Sequence, residues 1–361
     1  MSDNVSKLLH SIRPAKIIYP IVIGLSVVFY LIYKELDIQS LSLLRITRHA
    51  VLFLLLALAL MAMRDIGYMI RIRVLSNNEL NWRQAFRVIM LWEFTSAVTP
   101  SAVGGTSVAT VFLAKEGINV GRSASIVLAT SFLDELYFVL VFPILMLCIK
   151  PVLLFSLTAS GIDKNVISFT NELFLFAAIG YFLKFIWFLL VTYGLFLRPR
   201  GLKWLLLKIF KLPGLKRWRY GAQKAGDDII KSSSELKKEK KSFWMKAFGA
   251  TAISWTSRFL VVNALLLAFF NTTDQIMIFA RQFIMSNMML VSPTPGASGV
   301  SEYIFSRYLA AFIPVDHLYL AGLAITLALI WRFITYYPYL IIGVIIVPSW
   351  IKSKFTKPIK H

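Results

Sequence analysis

Apolar runs of about 20 residues, the length that crosses a hydrocarbon core of ~30 Å, recur along this chain. Two further apolar stretches are broken at nearly the same phrase, Thr99-Pro100-Ser101-Ala102-Val103-Gly104-Gly105 and Thr294-Pro295-Gly296-Ala297-Ser298-Gly299. A bilayer holds no water for backbone groups freed by Pro and Gly, so such breaks persist only where protein or a polar cavity supplies partners. The fold expected is therefore an all-α polytopic membrane protein. Its two broken segments, in corresponding places, are the first candidates for a transporter's substrate path.

Composition narrows the class further. Hydrophobic residues make up 58% of the 361. The lone Cys148 excludes internal disulfides, and His10, His49, His317 and His361 lie too far apart for a metal-site spacing, so neither metal nor cofactor is expected. A net charge of +21 would suggest nucleic acid in a soluble protein, but here its location follows topology. Residues 198–246 carry 15 Lys and Arg against 4 acidic residues, and the N-terminus, 71–87, 115–122 and the tail from Lys352 are also basic. The positive-inside rule places all of these, both termini included, on the cytoplasmic face of a cell inner membrane. There they attract anionic lipid rather than nucleic acid. The first apolar run follows Lys7, Arg13 and Lys16 but lacks a small-residue cleavage site, and is taken as an uncleaved span.

Hydropathy and charge together predict six crossings, at 17–33, 50–70, 123–149, 173–197, 247–270 and 319–347. Two apolar segments remain. The stretch 88–114 has basic, cytoplasmic-looking ends, whereas 276–313 begins and ends on the opposite side. Ile89 to Val98 would rise ~15 Å as a helix before Pro100 interrupts it, with Gly104-Gly105 permitting the reversal. Each segment is expected to form a re-entrant helical hairpin. The order span, span, hairpin, span then occurs twice with opposite sense, an inverted-topology repeat. Residues 1–197 hold the first repeat with hairpin 88–114, plus the first span of the second. Residues 198–246 form a basic cytoplasmic linker with helix-like spacing of Lys231, Glu235, Lys238 and Glu239, and 247–361 complete the second repeat.

Ionisable side chains inside a bilayer cost at least ~2.5–3.5 kcal/mol on insertion scales, so each one is a candidate functional group. Arg64, Asp65 and Glu93 fall towards the cytoplasmic ends of their segments. Asp134 and Glu135 sit mid-span and need cations. Lys184, Arg258, Arg281, Arg307 and Arg332 supply them, and a contact from Asp134 or Glu135 to Arg332 across the pseudo-two-fold is expected. Such a pair either fastens the halves statically or switches, with arginines holding a phosphate and carboxylates an ammonium group. Glu302 stands where a helix restarts after Gly299, either stabilised by the helix dipole or beside backbone N–H groups that could receive a phosphate. Hydroxyls at Thr95, Ser96, Thr99, Ser101, Thr106, Ser107 and Thr110 either line a path or satisfy the broken backbone locally. Trp82, Trp92, Trp218, Trp244 and Trp350 fit interfacial belts.

At its two motifs the chain resembles the flippase-like transmembrane domain family, found as the membrane half of lysylphosphatidylglycerol synthase/flippases and as free-standing bacterial and archaeal proteins. The resemblance covers most of the chain. It rests on Thr99 to Gly105, followed by Leu113, Gly117 and Ala124, and on Pro293-Thr294-Pro295-Gly296-Ala297-Ser298-Gly299-Val300-Ser301-Glu302. The family's second motif more usually reads Pro-Thr-Pro-Gly-Gly-x-Gly-x-x-Glu. Ala297 departs from it, and alanine resists positive φ. The resemblance implies a protein that moves a lipid, an aminoacylated phosphatidylglycerol in the best-studied relatives, between leaflets. Those relatives append an aminoacyltransferase domain for which these residues leave no room, so headgroup chemistry is expected from another protein.

The leading expectation is thus a lipid flippase acting on an anionic or aminoacylated phospholipid. Its expected path is lined by Thr99, Pro100, Ser101, Gly104, Gly105, Asp134, Glu135, Arg258, Pro293, Thr294, Pro295, Gly296, Gly299, Glu302, Arg307 and Arg332. Two rivals stand beside it. A non-transporting membrane partner of a separate lipid-modifying transferase would depend on 198–246. An intramembrane enzyme using a polyprenyl phosphate would need one carboxylate absolutely, and the sequence offers no catalytic constellation for it.

Overall fold

A computed structural model describes residues 33, 44–99, 102–155, 164–211, 219–290, 292, 294–315 and 317–355. Apart from Tyr33, the expected first span at 17–33 lies outside the described residues, as do Pro100, Ser101 and Pro293. Among the described residues there are helices and no strands. Five helices are long and apolar enough to cross a membrane: Arg48–Leu75, Gly121–Cys148, Ala177–Leu197, Lys241–Phe269 and Tyr319–Trp350. They coincide with the expected crossings because a run of this length has no other way to satisfy its backbone in hydrocarbon.

The first long helix, α1 (Arg48–Leu75), is capped by Thr47, whose side chain accepts the Ala50 N–H. It runs past the expected end at residue 70, so Arg71, assigned above to a loop, is a buried helical residue. Then come α2 (Trp82–Val98) and α3 (Ala102–Lys115). An Asn81/Gln84 capping box starts α2 in the polar segment before the apolar stretch. Its 17 residues therefore rise about 25 Å, well beyond the half-membrane leg expected. The break falls at Thr99, which is extended (φ −96°, ψ 139°) as a residue before proline must be. Gly104 and Gly105 lie inside α3 and do not form the reversal. The two legs return to one end: the Gln84 side chain donates to the Glu116 carbonyl at 2.9 Å, and Arg87 grips the Glu116 carboxylate at 2.7 Å.

The chain continues through α4 (Val120–Cys148), the short α5 (Pro151–Phe155) and α6 (Lys164–Thr192), which ends in a π-helical turn, Tyr193–Leu197. The hydrophilic insertion builds α7 (Pro199–Ile209) and α8 (Arg219–Leu236). Helix α8 docks on α4 through Glu235, which lies 3.9 Å from Arg122 and accepts from the Ser125 hydroxyl at 2.9 Å, and Glu239 just beyond α8 lies 3.4 Å from Arg122.

The second long helix, α9 (Lys241–Phe269), leads to α10 (Gln275–Met289), a 3-10 turn at Pro295–Ala297, and α11 (Val300–Tyr308). The final apolar stretch, the single candidate span Tyr319–Trp350 that matches the crossing expected at 319–347, is built from two helical segments, α12 (His317–Thr335) and α13 (Tyr337–Phe355), meeting at Tyr336. The Tyr336 N–H still bonds the Arg332 carbonyl, and Pro338, which has no N–H to give, sits in the first turn of α13, where that donor is not needed.

Helices α1 and α9 pack antiparallel along their length: Ser254 Oγ donates to the Arg64 carbonyl at one level, and Arg71 donates to Thr251 Oγ1 at the next. Small residues permit this. A Cβ on Gly67 would sit 2.3 Å from Ser254 Oγ and 2.9 Å from the Ala250 carbonyl. The outer faces keep Leu52, Leu55 and Ile66 of α1 and Phe182 and Trp187 of α6 exposed, as lipid contact requires.

A matched pair of substitutions tests this contact. Gly67→Ala should lower stability by about 1–3 kcal/mol through overpacking. Gly249→Ala, on α9 but facing open space with nothing within 4 Å, should be neutral or stabilising by up to about 1 kcal/mol. Thermal unfolding in detergent reads both.

Candidate functional site

The second broken motif builds a charge clamp from its own backbone strain. Gly296 (φ 54°), Ala297 (φ 55°) and Gly299 (φ 84°) all occupy the left-handed region, turning the chain from the 3-10 segment into α11. Ala297, where the resemblance expects glycine, accepts this conformation despite its Cβ, at about 1–2 kcal/mol. The Thr294 hydroxyl ties the turn by donating to the Ser298 carbonyl at 2.9 Å. Glu302, on the first turn of α11, accepts the Gly299 N–H at 2.6 Å and the Ser301 hydroxyl at 2.8 Å. It therefore takes the position that a phosphate would have at that helix start.

Arg332 of α12 closes the clamp. Its Nε donates to Glu302 at 2.7 Å, and its Nη2 donates to the Gly296 carbonyl at 2.8 Å and to Ser298 Oγ at 3.0 Å. The guanidinium lies over the Tyr336 ring, 4.0 Å from its centroid. Both charges are almost fully buried, with side chains 1% and 6% exposed. The expected contact of Arg332 with Asp134 or Glu135 is not formed. Asp134 instead pairs with Arg71 and accepts from Trp255 Nε1 at 2.7 Å, while Glu135 faces Lys184 at 3.4 Å.

The bend after α12 carries this clamp to the first motif. Arg332, Tyr336 and Tyr339 stand at helical spacing on one stripe, although Pro338 lies between the last two. The Tyr336 hydroxyl donates to the Ala97 carbonyl at 3.0 Å, near the tip of α2, and the α2 tip packs on the Pro295–Ala297 turn. The two broken motifs thus meet. Tyr339 then accepts from Arg64 at 2.7 Å and donates to Asp65 at 2.9 Å, and Arg64 reaches Glu93 of α2 at 2.7 Å. Tyr68 lies beneath both Arg64 and Arg71, 4.6 Å from each guanidinium. Arg64, Tyr68 and Arg71 repeat at helical spacing and span about 10 Å along α1, so the groups form a polar column between α1, α2, α4, α9 and α13.

Arg258 of α9 borders this column. It is half-buried, its guanidinium is 5.6 Å from the Trp255 ring, and its charged neighbours are Arg64 and Glu93. Among the described residues it makes no hydrogen bond or ion pair. Arg307 stands on the exposed side of α11, near Tyr303, apart from the clamp. Arg281 donates to the Tyr308 and Leu153 carbonyls, closing the ends of α11 and α5. In the first motif, Thr95 and Thr99 donate to the Leu91 and Thr95 carbonyls one turn back, so these hydroxyls serve the helix end.

Sequence reasoning missed Arg71, Trp255, Tyr336 and Tyr339. An arginine four residues inside a helix end and a Tyr-Tyr-Pro-Tyr run within an apolar stretch were the available signals.

The comparison with known proteins agrees with this architecture. The family described as "Lysylphosphatidylglycerol synthase TM region" matches residues 17–343. The chain belongs to this family. An Archaeoglobus fulgidus protein described as a UPF0104 membrane protein is 27% identical over 321 residues, covering 85% of this chain and 89% of its own length. As a member of the lysylphosphatidylglycerol synthase transmembrane-region family, the chain is a multi-pass membrane protein.

Two predictions follow for the clamp. Arg332→Met leaves Glu302 buried without its counter-ion and should cost about 3–5 kcal/mol. Adding Glu302→Gln should recover part of this, a coupling of about 1–3 kcal/mol in a double-mutant cycle of unfolding. Ala297→Gly removes the left-handed strain and should raise stability by up to about 1 kcal/mol, read as a higher midpoint.

Proposed function

We propose that the protein is a lipid flippase or lipid-headgroup transporter, moving a phosphate-bearing headgroup along the polar column while the acyl tails remain in lipid. The reading is carried by Arg258. A half-buried arginine in a spanning helix, without an ion-pair partner among the described residues, is costly unless it has something to bind. The headgroup phosphate is the partner proposed.

The family description adds a substrate candidate. Lysylphosphatidylglycerol carries a phosphodiester for Arg258 and ammonium groups for carboxylates. Glu93 and Asp134 suit the latter role, with side chains 21% and 23% exposed, whereas Glu302 is committed to its clamp. The Thr99 and Gly296 tips would lie along the path, entering from opposite leaflets as re-entrant hairpins. The basic insertion and both termini would face the cytoplasm of an inner membrane. Headgroup modification, where required, would fall to a separate enzyme.

The test is leaflet exchange of headgroup-labelled phosphatidylglycerol, lysylphosphatidylglycerol and phosphatidylethanolamine in proteoliposomes. Exchange of at least one lipid above protein-free background is expected. Arg258→Met should slow it by about tenfold or more, equivalent to losing about 1.4 kcal/mol of transition-state contact. Arg258→Lys should retain part. Lys246→Gln, which removes an exposed charge at the foot of α9, should exchange like wild type. Exchange unchanged in Arg258→Met would contradict the phosphate role.

A further inference from the structure

We propose that α7 is an interfacial helix whose exposed stripe binds the anionic phospholipid surface beside the third described span, Ala177–Leu197. The argument begins with covalent continuity. The membrane-spanning stretch Ala177–Leu197 ends two residues before α7 starts at Pro199. Two residues reach about 7 Å, so α7 has to lie at the edge of the hydrocarbon. Pro199 cannot extend the preceding helix but suits the first position of a new one, which forces the change of direction at this level.

One face of α7 is already covered: Leu202 is buried, and Lys203 pairs with Asp227 of α8 at 2.6 Å. Among the described residues, nothing covers the opposite face. Arg200, Trp204 and Lys208 follow one another at four-residue spacing, with Lys211 beside them, and all four are exposed. Trp204 is 61% exposed, and Lys208 Nζ stands 4.9 Å from its ring centroid. Leu197 and Ile209 flank the stripe and are also exposed.

An aromatic side chain with an apolar body and a polar edge, bracketed by long cationic side chains, matches the boundary between acyl chains and phosphates. The ring enters the boundary while the lysine and arginine stems follow it and their heads reach anionic headgroups. Charge complementarity selects the lipid. Three or more cations gathered at one membrane level favour an acidic leaflet by roughly fivefold in partitioning per residue. The stripe is separate from the polar column and needs no transport activity.

Site-directed spin labelling in nanodiscs tests this. In a Cys148→Ser background, a label is placed at Trp204→Cys and, separately, at Ile209→Cys. Collision with oxygen is compared with collision with a water-soluble nickel chelate in discs of pure phosphatidylcholine and discs containing phosphatidylglycerol. The expected result is an oxygen-to-nickel ratio at both positions at least about twofold higher in the acidic discs, as for a label at the headgroup boundary. Arg200→Gln, Lys208→Gln and Lys211→Gln together should abolish the difference. High nickel access in both discs, with a low oxygen-to-nickel ratio, would overturn the proposal and leave the stripe in water. Burial independent of phosphatidylglycerol would overturn the anionic selection.

Discussion

A carboxylate and a guanidinium that complete each other inside an apolar medium hold this fold together at its weakest point. The second motif frees backbone groups at Gly296 and Gly299, and hydrocarbon offers nothing to bind them. Glu302 accepts the stranded N–H of Gly299, and Arg332 donates to the stranded carbonyl of Gly296, while the two charges neutralise one another. Neither residue could do this alone without leaving a buried charge. The break, the clamp and the bend at Tyr336 are therefore one construction. Its far side, through Ala97 and Tyr339, positions the first motif and the Arg64 cluster.

The same requirement orders the remaining charges. Arg71 meets Asp134, Lys184 meets Glu135, and Arg64 meets Asp65 and Glu93. Against this pairing Arg258 stands out, and the functional reading follows from that contrast. The close antiparallel packing of α1 and α9 at Gly67 brings Arg258 near Arg64 and Glu93, linking a glycine seam to the chemistry of the column.

Sequence legibility divided along physical lines. The spans at 50–70, 123–149, 173–197, 247–270 and 319–347 were readable because long apolar runs admit a single structure in lipid. The last run was readable as a span, but not its break at Tyr336, two residues before Pro338. The Thr294 turn was visible from its glycines, whereas Gly104 and Gly105 were misleading: α2 ends at Val98 with Thr99 extended, and the helix has resumed at Ala102 before they are reached. The charge partners were not readable. Arg64 and Tyr339 lie 275 residues apart, and helices apolar on most sides do not reveal which face they turn inward. A contact of Asp134 or Glu135 with Arg332 was expected across the pseudo-two-fold, but the partner of Arg332 is Glu302, 30 residues earlier at the start of α11.

The central proposal is that a lipid path runs between the two motif tips, which meet beside the polar column. Cysteines at Ala97 and Ala297, in a Cys148→Ser background, can be bridged by a short bifunctional maleimide with a cleavable internal disulfide. Lipid exchange is then followed in proteoliposomes before bridging, after bridging and after cleavage. The account predicts that exchange stops when the tips are bridged and returns when the bridge is cut. Exchange that continues undiminished across bridged tips would contradict it.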